Sequence, residues 1–85
     1  MTPAEALEQI KEYAQFGRVS FEDHALDQMD NRNIDKEDIY CALETATSCL
    51  AQPKERWKVE GVDTWGDELI VIVAFNGTVC ILTIF

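Results

Sequence analysis

The dipeptide Asn76-Gly77 lies between two almost wholly apolar runs, and it constrains the fold more than any other feature. Asn-Gly is a preferred pair for the tight turn of a β-hairpin, because both residues readily adopt positive φ. We therefore predict strands over residues 68–75 and 78–85. Since both strands are apolar at nearly every position, they should be central in a sheet, with helices on one face. A dimer mate, a partner or the protein's own loops would cover the other face.

Cap residues and apolar spacing predict three helices in the N-terminal half. Thr2-Pro3-Ala4-Glu5 begins the first, Ser20 caps the second after an Arg18-Val19 connector, and Asp35 caps the third. Each helix carries an apolar stripe at helical spacing. The three stripes are Leu7, Ile10 and Ala14; Phe21, Ala25 and Met29; and Ile39, Leu43 and Ala46.

Further strands are predicted between the third helix and the hairpin. Residues 56–60 alternate, with Trp57 and Val59 on one face, and residues 47–51 suit a short strand. Residues 52–55 read as a turn. The predicted fold is α+β, with N-terminal helices packed on a C-terminal antiparallel sheet of three or four strands. A chain of 85 residues has room for one domain, residues 1–85.

The charge is strongly acidic, with 16 acidic and 7 basic residues and a formal net charge of −9. Such a field repels nucleic-acid phosphates and favours a basic partner. However, Lys54, Arg56 and Lys58 fall within residues 54–58 and form the one basic cluster. Cations of this kind bind phosphates and stabilise the charge that develops on them during cleavage. The alternative is an edge strand protected from aggregation by its charges.

The cysteines and the apolar runs predict a cytoplasmic protein without a metal or another cofactor. Cys41, Cys49 and Cys80 are odd in number and lack Cys-x-x-Cys spacing, which argues against a disulfide framework or a zinc site. Met1 leads directly into a charged helix, so no signal peptide is expected. The longest apolar run, residues 69–75, is too short to span a bilayer.

Two further groups of residues are candidates for function. His24, Gln28 and Arg32 stand at i, i+4 and i+8 and so share one helix face, where a histidine and an arginine suit proton transfer and phosphate binding. The alternative is a solvated face or a structural network. Trp57 belongs in the core with Val59, whereas Trp65, in a polar loop, is a candidate partner interface.

The segment from Val19 to Ile34 resembles a bacterial domain-of-unknown-function family that carries His-Ala-x-x-Arg-Met-x-x-Arg-Gly-Ile at this place. The resemblance continues through residues 56–61 and the terminal strand at residues 79–85. Here Gln28 stands in place of the family's first arginine, and Asn33 in place of its glycine. Genes of that family commonly neighbour a zinc-finger antitoxin of the YgiT or MqsA type. The layout is also similar to that of MqsR toxins, which implies a RelE-like fold.

The resemblance implies a toxin of a type II toxin–antitoxin system, an mRNA interferase that cuts RNA without a metal. Its partners would be RNA and a zinc-finger antitoxin, with no membrane, and a homodimer is left open. An alternative is a non-catalytic protein-binding module of the same fold; a weaker one is an acidic decoy for a basic toxin. The predicted roles are catalysis for His24, Arg32 and Lys58, RNA binding for Gln28, Lys54 and Arg56, and a partner interface for Trp65.

Overall fold

Three helices and five strands follow one another in a computed structural model that describes all 85 residues. The predicted α+β class is confirmed. The elements are α1 (Pro3–Gln15), β1 (Val19–Phe21), α2 (Asp23–Arg32), α3 (Lys36–Thr45), β2 (Ser48–Gln52), β3 (Arg56–Val62), β4 (Glu68–Phe75) and β5 (Val79–Ile84).

The strands form one sheet in the order β1-β5-β4-β3-β2. Strands β2 to β5 are antiparallel neighbours, as predicted, whereas β1 pairs in parallel with β5. The sheet therefore has five strands, more than the three or four expected, because residues 19–21 form a parallel edge strand. Ser20 does not cap a helix; its hydroxyl lies 2.8 Å from the Thr78 hydroxyl across the sheet. Three residues are too few for an alternation pattern to show.

The helices cover one face of the sheet and share with it a core cluster of 18 buried residues. Helix α1 buries Ala6, Ile10 and Ala14, so its stripe is centred one position from the prediction, with Leu7 only half-buried. Along β4, alternate residues are buried and half-buried, which is typical of a sheet with helices on one side only. We call the helix-free side the open face. Its members include Leu50, Lys58, Ile70, Ile72, Ala74 and Thr83.

Gly61 allows β3 to pass directly against α3. The residue is buried, and an added Cβ would overlap the carbonyl oxygen of Ala42 and lie 2.9 Å from the Ala42 Cα. Real Cβ atoms do not approach backbone this closely, so only glycine fits without moving the helix. This contact sets the separation of helix and sheet.

A β-bulge in β5 changes which residues at its end face the open side. Ile72 pairs with Thr83 and Val73 with Ile81, which leaves Leu82 without a partner. Because side chains alternate along a strand, one extra residue reverses the alternation beyond it. Ile84 is consequently buried, and Phe85 is 61% exposed.

Candidate functional site

Gln28 joins α2 to the edge of β5 beyond the point where β1 ends. Its Nε2 donates to the Ile84 carbonyl oxygen at 2.8 Å, and its Oε1 accepts from the Ile84 N–H at 2.8 Å. A neighbouring strand makes the same exchange of one donor and one acceptor. The side chain of Gln28 therefore continues the sheet edge in place of β1.

Arg32 follows one helical turn later and donates from its guanidinium to the Phe85 main-chain oxygen at 2.9 Å. His24 lies one turn before Gln28, is exposed, and makes no hydrogen bond to another side chain or to the main chain. Eight residues of helix separate His24 from Arg32, a rise of about 12 Å. Of the predicted shared face of His24, Gln28 and Arg32, the last two side chains are therefore held by the end of β5 and the residue after it.

The hairpin between β2 and β3 carries Lys54 at its tip. Gln52 pairs with Arg56, and a short 3-10 turn, Pro53–Glu55, connects them. Lys54 and Glu55 have φ values of 64° and 58°, in the left-handed region that side chains other than glycine seldom adopt. Backbone of this kind persists only where its surroundings fix it. The hairpin therefore holds Lys54 in a defined, exposed position.

A cavity of about 340 Å³ lies on the open face between this hairpin and the end of β5. It combines two cations, an exposed aromatic ring and polar groups. Its lining consists of Gln52, Pro53, Lys54, Arg56, Ile72, Thr83 and Phe85. Cations and an aromatic ring at one place are the two elements that bind single-stranded nucleic acid, by phosphate contact and by base stacking.

Lys58 and Arg32 do not line this cavity, but each contacts or pairs with a residue that does. Lys58 is half-buried on the open face and pairs with Ile72, a lining residue. Arg32 hydrogen-bonds to the main-chain oxygen of Phe85, which is also a lining residue. The structure thus brings four predicted residues to one end of the sheet, which we call the basic corner. The basic corner consists of Arg32, Lys54, Arg56 and Lys58.

His24 and Gln28 do not line the cavity, and five residues that do, Gln52, Pro53, Ile72, Thr83 and Phe85, are not among the predicted site residues. Phe85 and Thr83 lie in an apolar run that predicts a buried strand, and the bulge that turns them to the open face leaves no sequence signal. Gln52 was assigned to a turn. Its position beside Pro53, before a basic cluster, was the one available indication.

Trp65 lies at the other end of β3, in the loop between β3 and β4, and 86% of its surface is exposed. Trp57 is buried, as predicted. Asp38 anchors the loop from α3, because its Oδ1 accepts from the Thr64 hydroxyl at 2.6 Å and from the Thr64 N–H at 3.1 Å. The Thr64 hydroxyl, with smaller contributions from the N–H groups of Asp35 and Thr64, lowers the pKa of Asp38 below its usual value.

The three cysteines are free thiols, and burial raises the pKa of Cys49, which disfavours the nucleophilic thiolate. No group of three or more His, Cys, Asp or Glu side chains is placed to hold a metal ion. None of the three helices has the length and apolar character that a membrane crossing requires.

Comparison with known proteins gives a family and no relative of established activity. No curated protein and no solved structure matches the chain significantly. One family model, described as "Domain of unknown function (DUF4258)", matches residues 21–85, about three quarters of the chain. The matched part includes α2, the β2–β3 hairpin and β5, and hence the whole basic corner. The chain therefore belongs to the DUF4258 family of domains of unknown function.

Proposed function

We propose that this protein is an endoribonuclease of the mRNA-interferase type, the toxin of a type II toxin–antitoxin pair, acting on RNA in the cytoplasm. The observation that supports the proposal best is the cavity on the open face, where Lys54, Arg56 and Phe85 meet. The resemblance to MqsR and RelE-like toxins suggests the type of reaction, which is metal-independent cleavage of RNA. It also adds the expected inhibitor, a zinc-finger antitoxin.

The cavity suits a short stretch of single-stranded RNA. Lys54 and Arg56 would each contact a phosphate, and Phe85, with 61% of its surface exposed, offers a ring on which one base can stack. The remaining surface carries most of the negative charge and repels phosphates. RNA would therefore be held over the few nucleotides that reach the basic corner, rather than along an extended track.

The proposed reaction requires no metal. The ribose 2′-oxygen attacks the adjacent phosphorus, the bond from phosphorus to the 5′-oxygen breaks, and a 2′,3′-cyclic phosphate and a 5′-hydroxyl result. A base takes the proton of the 2′-hydroxyl, and an acid protonates the leaving oxygen. We assign charge stabilisation to Lys58, which pairs with the lining residue Ile72, and to Arg32, which hydrogen-bonds to the lining residue Phe85. His24, the predicted proton-transfer group, is exposed on α2 and does not line the cavity, so no proton-transfer role in it is assigned to His24.

Expression in bacteria tests this proposal. Wild-type protein should arrest growth and generate new RNA 5′-hydroxyl ends, mapped by ligation and sequencing. Lys58→Ala and Arg56→Ala should relieve the arrest and remove those ends, whereas Lys11→Ala, which removes a cation on α1, should behave as wild type. Unchanged cellular RNA during arrest would argue decisively against a ribonuclease.

A second candidate is a non-catalytic protein-binding module of the same fold. It is favoured by the apolar open face, where 49% of Leu50 is exposed and Ile70 and Ile72 are half-buried. Gln28 and Arg32 also favour it, because their side chains are already hydrogen-bonded to the main chain of Ile84 and Phe85. This alternative predicts a stable homodimer or complex by sedimentation and no nuclease activity. RNA cleavage by the purified protein that is lost in Lys58→Ala would rule it out.

A further inference from the structure

Trp65 is the most exposed large hydrophobic side chain of the molecule, at 86%. Burial of a large apolar side chain stabilises a fold, so the exposure of Trp65 forgoes a substantial contribution to stability. Other exposed hydrophobics, such as Phe16 and Phe85, lie at the ends of α1 and β5, whereas Trp65 lies in the middle of a loop. Tryptophan is also the residue most enriched at the energetic centres of protein interfaces.

The loop that carries Trp65 is held in one conformation by its own hydrogen bonds. Asp63 Oδ1 accepts from the N–H groups of Trp65 and Asp67, both at 2.9 Å. The Asp63 N–H donates to the Asp67 carbonyl at 2.8 Å, and Thr64 is bound to Asp38 on α3. A side chain presented from an ordered loop loses little backbone entropy on binding. The loop is therefore pre-organised to present the indole.

The surroundings of Trp65 determine the charge of what can bind it. Asp63, Asp67 and Glu68 accompany it between residues 63 and 68, where the sequence has no basic residue. Strand β3 lies between this loop and the β2–β3 hairpin, and its seven residues span about 20 Å. The loop is thus remote from Lys54, and its negative charge repels RNA and attracts a basic protein surface.

We propose that the Trp65 loop is a docking site for a basic protein segment, which receives the indole in an apolar pocket bordered by lysine or arginine. This site is separate from the basic corner, so a docked partner leaves the basic corner accessible. The proposal does not depend on RNA cleavage, and either one can fail without the other.

Peptide display on the full-length protein tests the proposal, with counter-selection against Trp65→Ala. The enriched peptides should combine basic residues with an apolar or aromatic anchor. They should bind Trp65→Ala at least tenfold more weakly than wild type, and Asp67→Asn with a reduced dependence on salt. Phe16→Ala, which removes another exposed aromatic ring, is the matched control and should bind normally. Absence of enrichment, acidic or uncharged peptides, or equal binding to Trp65→Ala would each overturn the proposal.

Fluorescence then locates the contact. In Trp57→Phe, Trp65 is the only indole, and a selected peptide should shift its emission to the blue and protect it from acrylamide quenching. If this variant fails to fold by circular dichroism, anisotropy of a labelled peptide on wild type and Trp65→Phe replaces it. A single-stranded RNA oligonucleotide should leave Trp65 emission unchanged. Peptide binding without any change at Trp65, or a change caused by RNA, would contradict the proposed site.

Discussion

Gly61 shows how a single residue sets the spacing of two layers. Since an added Cβ would overlap the Ala42 carbonyl oxygen, Gly61→Ala should lower the free energy of unfolding by about 3 kcal/mol, at the upper end of typical overpacking costs. At Gly77 an added Cβ meets nothing within 4 Å, so Gly77→Ala should cost only the backbone strain of its positive φ, about 1 kcal/mol. Urea denaturation measures both values. Equal losses would contradict the close approach of α3 to β3.

Asp38 should give the stability a dependence on acid pH. Its hydrogen bonds with Thr64 and Asp35 lower its pKa from the usual 3.8 in the folded state. A carboxyl group with a lowered folded-state pKa contributes stability above its unfolded pKa, and loses that contribution as pH falls. The difference in unfolding free energy between wild type and Asp38→Asn should therefore be constant from pH 7 to pH 5 and shrink below pH 3.8. A difference that is the same at pH 3 and pH 7 would exclude this role.

At the scale of elements, the side chain of Gln28 replaces a missing strand. Gln28→Ala leaves the N–H and the carbonyl of Ile84 without partners and should cost roughly 1–3 kcal/mol of stability. It should also accelerate hydrogen exchange of the Ile84 amide. Gln9→Ala, a loss of the same side chain on α1, is the control and should do neither. Unchanged exchange at Ile84 in Gln28→Ala would refute the pairing of α2 with β5.

The elements with strong local signals were predictable from the sequence. The Asn76-Gly77 turn, the capped helices and the alternation from Arg56 located α1, α3 and β3 to β5 within a few residues. β1 was not predicted, because three residues show no period and its pairing with β5 joins residues sixty positions apart. The order of the strands was also not predictable, since no local sequence signal specifies the edge of the sheet to which β1 adds.

The basic corner was only partly predictable for the same physical reason. Lys54, Arg56 and Lys58 are adjacent in sequence, so their proximity follows from the chain itself. The contribution of Phe85 and Thr83 depends on a bulge that reverses the alternation of side chains along β5. When every residue of a strand is apolar, the sequence does not indicate which of them face the core. The hydrogen bond from Arg32 to Phe85 joins residues 53 positions apart and required the structure.

At the scale of the molecule, two surfaces of opposite character lie at the two ends of β3. The basic corner offers cations and an aromatic ring on a face without helices, and the Trp65 loop offers an indole among carboxylates. With a net charge of −9, the long-range field opposes RNA, so only short-range contacts at the basic corner can hold it. Binding to a short oligonucleotide should therefore be strongly sensitive to each of these few cations.

Binding of RNA at the basic corner is tested by the affinity of the purified protein for a short single-stranded RNA. Fluorescence anisotropy measures this affinity over a range of salt concentrations. We expect measurable binding that Arg56→Ala weakens about tenfold, with a salt slope smaller by roughly one because one phosphate contact is lost. Lys11→Ala carries the same charge change on α1 and should leave affinity and slope unchanged. Equal weakening by both substitutions, or no binding by the wild type, would contradict RNA binding at the basic corner.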